Sequence, residues 1–272
     1  MRLSLALAAA LVSVPPPLFA DEDVLSAIAA SGASVVILGE VHDNPHHHRL
    51  QVEALDVLDP TAIVFEMLTP DEVTLVTPDL AADPSALAAA LDWDNSGWPD
   101  FAFYAPLLAY GTSVPIYGAE VTREDAQRAF AEGAAAAFGT GAERFGLDRP
   151  LPEDEQAARE ADQMAAHCDA LPEEILPGFV AAQRLRDAVL SETALRALDE
   201  TGGPVAVITG NGHARTDRGV PALIALAAPG VTVLSLGQIE DADGADQASL
   251  PYDLVTSAPP PEDRPDPCAA FR

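Results

Sequence analysis

The chain has no lysine. Its 14 basic side chains are all arginine and face 43 acidic ones, for a formal net charge of −29. That deficit disfavours nucleic acid and anionic membrane surfaces as partners. It suits solubility, cations or a basic partner. Cysteine is nearly absent, with Cys168 and Cys268 as the two present. No Walker-type phosphate loop occurs, and no Gly-x-Gly-x-x-Gly opens a helix. Gly210-Asn211-Gly212 is followed by His213 and lacks the third glycine. No Gly-x-Ser-x-Gly elbow is present, so Ser–His–Asp chemistry has little support.

What remains is a globular composition, 49% hydrophobic and 21% charged. The first twenty residues read as a cleavable export signal. Met1-Arg2 is a short basic start, Leu3 to Val14 is almost wholly apolar, and Pro15-Pro16-Pro17 and Leu18-Phe19-Ala20 precede the acidic Asp21-Glu22-Asp23. The apolar run is too short to span a bilayer. No cysteine follows it, so the expected state is a soluble periplasmic protein cut near Ala20. An exported protein with two cysteines favours one disulfide, Cys168 to Cys268, tying the tail at 259–272 to a central helix.

Apolar runs at Val35–Leu38, Thr61–Phe65, Val114–Tyr117, Val205–Ile208 and Val231–Leu236 read as strands, with Tyr252–Thr256 as a last edge strand. They are continuous rather than alternating, as in a parallel sheet buried on both faces. Helical segments lie between them, among them 45–57, 102–110, 123–137, 153–168, 172–198 and 219–227. The class is therefore α/β, with a central mainly parallel sheet, flanking helices and a helical insertion at about 120–200. One domain over 21–258 is expected.

Two strand ends share a design: Leu38-Gly39-Glu40-Val41-His42 and Ile208-Thr209-Gly210-Asn211-Gly212-His213. Ligand crevices in open α/β sheets lie off the carboxyl ends of the strands. Glu40, His42, Glu66, Glu120, Asn211 and His213 are all expected at that edge. Gly39 and Gly210 let the backbone turn out of the strand. Two imidazoles with two or three carboxylates suit a metal such as zinc or manganese, or general acid–base work. Glu66 follows five residues of buried character and reads as a functional carboxylate, with one half of a buried ion pair as the alternative. His46, His47 and His48 read as a solvated polar turn. Gln183 and Asp187, four apart, share a helix face with Arg186 beside them. They read as a polar face or as an anchor to the sheet edge. The aromatic stretch Trp93 to Tyr104 is either core or the lining of a flat apolar cavity.

Leu38 to Pro45, Phe65-Glu66-Met67, Trp93 with Gly97-Trp98 and Tyr104, Ala182 to Asp187, and Gly210 to Arg215 together resemble the ChaN-like haem-binding lipoprotein family. The likeness extends from about Ser34 to Leu236. It implies haem binding linked to iron uptake, a homodimer holding haems face to face, and outer-membrane uptake machinery as a partner. His42, His213, Tyr104 and Trp98 are the expected haem contacts. The family's metal-dependent relatives imply a rival, a hydrolase using Glu40, His42, Glu66 and His213 as its metal-binding and catalytic centre, with Glu40 or Glu66 activating water.

Overall fold

The computed structural model describes residues 20–240 and 250–271. The expected export signal lies outside them, apart from Ala20. Six strands form one sheet: β1 (Val35–Glu40), β2 (Ala62–Phe65), β3 (Ile116–Gly118), β4 (Val205–Gly210), β5 (Val233–Glu240) and β6 (Leu254–Ala258). Their spatial order is β3-β2-β4-β1-β5-β6, and every neighbouring pair is parallel. The expected α/β class is correct.

Successive side chains of a strand point to opposite faces. Val36 and Leu38 of β1 join Ile63, Phe65 and Ile208 in one apolar layer; Val35 and Ile37 join Val64, Val205 and Val207 in the other. Both faces are covered, which explains the unbroken apolar runs. The first layer is closed by helices α1 (Asp21–Ala30), α2 (Pro45–Leu58) and α3 (Phe101–Tyr110). The second is closed by α6 (Leu176–Thr201) and α7 (Val220–Ala227), with α4 (Arg123–Glu132) and α5 (Glu153–Ala166) packed outside α6. The single helix expected over 123–137 is two, Arg123–Glu132 and Ala134–Phe138, parted at Gly133. Between β3 and β4 the described residues form helices and turns alone.

The sheet order places the site. The chain forms β1 and β2 first, yet β4 lies between them. Glu40 pairs in register with Gly210, and Phe65 with Ile208. Three strand ends distant in sequence thus stand side by side. Cys168 and Cys268 are joined, as expected, with Cα atoms 5.6 Å apart. No helix among the described residues is long and apolar enough to cross a membrane.

Candidate functional site: a strand-end cleft

Two sets of polar groups stand at the carboxyl ends of β1, β2 and β4. The first is centred on Glu40, whose residue is 2% exposed. Its Oε1 accepts from the Tyr104 hydroxyl at 2.8 Å and lies 2.8 Å from His42 Nδ1. Oε2 lies 3.4 Å from His48 Nδ1, an ion-pair distance at which neither atom makes a hydrogen bond. The His42 ring is partly exposed and stands edge-on to Trp98, with centroids 5.1 Å apart. Burial would lower its pKa, but the Glu40 hydrogen bond and the Glu66 charge outweigh burial and raise it.

The second set is centred on Glu66. Its Oε2 accepts from Thr209 Oγ1 at 2.6 Å and from the Gly210 N–H at 2.8 Å. Its Oε1 lies 3.3 Å from His213 Nε2, and His213 Nδ1 lies 2.7 Å from Asp187 Oδ1. His213 is therefore an imidazolium between two carboxylates. Burial alone would discharge it, but Glu66 and Asp187 push its pKa up to about 10. Glu66 is held far below the usual carboxylate range: burial opposes this, and the charge and hydrogen bond of His213 prevail. Gln183 Nε2 is 3.3 Å from both His213 ring nitrogens.

The two glycines permit close approach. A Cβ on Gly210 would lie 2.7 Å from His42 Nε2, and one on Gly39 would lie 2.6 Å from Asn211 Oδ1. The Asn211 side chain pairs with the Gln238 backbone in both directions, at 2.5 and 3.0 Å, so it braces the edge between β4 and β5.

Two adjoining clefts open at this edge. The smaller, about 420 Å³, is lined by Glu40, His42, Glu66, Gln183, Arg186 and His213 among others. The larger, about 620 Å³, shares Glu66 and Arg186 with it. Its walls are Trp98, Ala119, Ala126, Phe130, Phe179 and Ala182, and Glu120 also lies there. Burial, and then the Glu72 carboxylate, push Glu120 up to about 7. Phe130 is 41% exposed and meets Phe179 edge-on at 5.5 Å. The size is that of small-molecule clefts.

Several expectations need correction. Tyr104 is not at the cleft: it is 1% exposed and its hydroxyl is committed to Glu40. The other phenols are also engaged, Tyr110 by Leu55 O, Tyr117 by Glu200 and Tyr252 by Asn211 O. His213 is locked between carboxylates rather than offering a lone pair. Glu40, His42, Glu66 and His213 do not converge as a zinc or manganese centre: among the described residues no group of three or more His, Cys, Asp or Glu has a geometry that would hold a metal ion. Their polar atoms are spent on one another. His47 and His48 are not a solvated turn but are 1% and 2% exposed. His47 Nδ1 accepts from the Val41 N–H, and His48 Nε2 donates to His42 O, so both brace the loop that carries His42. Asp187 anchors α6 through His213 rather than through Arg186. Thr209, Arg123 and the Phe130–Phe179 pair went unnoticed in the sequence. A threonine ending an otherwise apolar strand was the one available signal.

The fold and site define a class: a parallel α/β domain with a strand-end cleft, one aromatic-walled side and one accessible imidazole. The chain belongs to the family described as haem-binding uptake, Tiki superfamily, ChaN, whose model matches residues 27–224. Among solved structures it is similar to ChaN of Campylobacter jejuni, which binds haem cofacially. The TM-score is 0.62 at 19% identity, over 86% of this chain and 90% of that one. It is more remotely similar to the type III effector HopBA1 (TM-score 0.47, 13% identity, 91% and 97% covered) and to a mutant of the erythromycin esterase EreC (0.42, 10%, 80% and 72%). No curated protein sequence matches.

Proposed function

We propose that this protein binds haem in the strand-end cleft, with His42 as the iron ligand. The observation that carries the reading is His42 itself, in a chain of a haem-binding family. It is the one partly exposed imidazole at the edge, its Nδ1 is engaged by a buried carboxylate, and it abuts the aromatic wall through Trp98. A carboxylate on Nδ1 orients the ring and leaves Nε2 as the ligating atom. Trp98, Phe130 and Phe179 supply apolar surface for a flat macrocycle. When haem is bound, His42 would hold its iron through the imidazole, one of the protein groups that ligate haem iron. Glu40 holds His42, Tyr104 holds Glu40, and the Glu66–His213–Asp187 chain fixes β2, β4 and α6 around the opening.

The reading extends to an exported protein of haem or iron uptake, working as a homodimer with outer-membrane machinery. The apolar N-terminal stretch and the Cys168–Cys268 disulfide support export. Cell fractionation that leaves the protein in the cytoplasm would remove that part. The binding itself is tested by titrating the purified protein with haem. The expected result is a Soret shift that saturates at a defined stoichiometry, and an unshifted band defeats the reading.

A further inference from the structure

Carboxylates outnumber basic groups roughly three to one in this chain. An arginine without a partner is then an exception. Twelve arginines lie among the described residues, since Arg2 and Arg272 fall outside. Seven pair with carboxylates. Arg184 donates to the carbonyls of Gly146 and Arg149, and Arg144 and Arg196 lie over aromatic rings. That leaves Arg123 and Arg186. Neither has a hydrogen bond, ion pair or ring contact among the described residues, and both line the same 620 Å³ cleft.

Arg186 also lines the smaller cleft beside His42, so it stands where the two openings join. It is half-buried on α6. Its charge reaches Glu120 without forming an ion pair with it. Arg123 is exposed, in the first turn of α4. Guanidinium is the side chain suited to bidentate carboxylate recognition. The two guanidiniums stand in a cleft walled mainly by Trp98, Phe130, Phe179 and alanines, with Glu66 and Glu120 as its carboxylates, and they are placed for a ligand that is flat and apolar in its body and anionic at its rim.

We infer that Arg123 and Arg186 are the carboxylate-recognising residues of this cleft, and that the protein selects tetrapyrroles bearing free propionates over their esters. The inference rests on the haem-binding reading and adds to it the anionic character of the ligand and the residues that read it. Recognition through the rim does not need iron. The arginines therefore serve metal-free porphyrin as well, whereas His42 serves haem alone.

The test compares wild type, Arg123→Gln, Arg186→Gln, the double variant and His42→Ala, each checked for native circular dichroism. Each is titrated with haem and haem dimethyl ester by absorbance, and with protoporphyrin IX by fluorescence. Arg186→Gln is expected to weaken haem and protoporphyrin alike by about tenfold, and the exposed Arg123→Gln by about threefold. The double variant no longer distinguishes diacid from diester, and His42→Ala weakens haem while sparing protoporphyrin. If wild type binds diacid and diester equally well, or the double variant keeps wild-type affinity for both porphyrins, the arginine assignment is wrong while haem binding stands. If wild type binds neither haem nor protoporphyrin, both readings fall together.

Discussion

Glu66→Gln isolates the buried charge that holds three strand ends to α6. The substitution keeps the shape and leaves an amide oxygen to accept from Thr209 and the Gly210 N–H. It removes the charge facing His213 at 3.3 Å. Losing one partner of a buried pair typically costs about 3–5 kcal/mol, and the lower end applies here because Asp187 still holds His213. About 3 kcal/mol corresponds to roughly 6–12 °C in Tm for a domain of this size. The pH dependence follows from the two shifts. His213 is raised from 6.5 to about 10, so its contribution is complete below 6.5 and is lost as pH rises through 10. Glu66 is depressed from 4.5, so its contribution is present above 4.5 and is lost as pH falls through its lowered value. Wild-type stability therefore declines between pH 7 and 10. In Glu66→Gln that decline is smaller and ends at lower pH, because the largest upward influence on His213 is gone while the onset, set by the unfolded value of 6.5, is unchanged. Thermal melts followed at 222 nm across that range measure both effects. A variant Tm within about 2 °C of wild type at pH 7, or an unchanged alkaline profile, would refute the reasoning.

Gly210→Ala places a methyl 2.7 Å from His42 Nε2. It is expected to displace the ring and weaken haem binding by at least about tenfold, at a stability cost of about 1–3 kcal/mol; equilibrium titration and a melt check the two. Tyr104→Phe removes one hydrogen bond to Glu40 and is expected to cost about 1–2 kcal/mol in urea unfolding while leaving the bound Soret position unchanged. Cys268→Ser opens a link between residues 100 apart in sequence. The loss expected is about 2–4 kcal/mol by denaturant titration, and thiol counting on the wild type should find none free.

The architecture was legible because the strands are buried on both faces and read as uninterrupted apolar runs. The glycine-ended strands also announced which edge carries the polar groups. What the sequence did not disclose is that β4 inserts between β1 and β2, the pairing that joins Glu66 to Gly210 and brings His42 over the same glycine. Partner choice was equally hidden. Nothing local tells Tyr104, 64 residues from Glu40, that it will be its buried donor rather than a face of the cleft. His47 and His48 misled for a related reason. A run of three histidines resembles a solvated turn, but a helix rotates successive side chains about 100° apart, and two of the three turn inward. Arg123 carries no sequence signal, and Arg186 was marked only by its neighbours Gln183 and Asp187, because the distinction of both is the absence of a partner.

The central claim is that His42 ligates haem in this cleft, and the Soret titration of wild type beside His42→Ala tests it most directly. Wild type should show a saturable shift, and His42→Ala, with native circular dichroism, should lose the shift or show that of a differently ligated haem. An identical Soret band and affinity in the two proteins would contradict it.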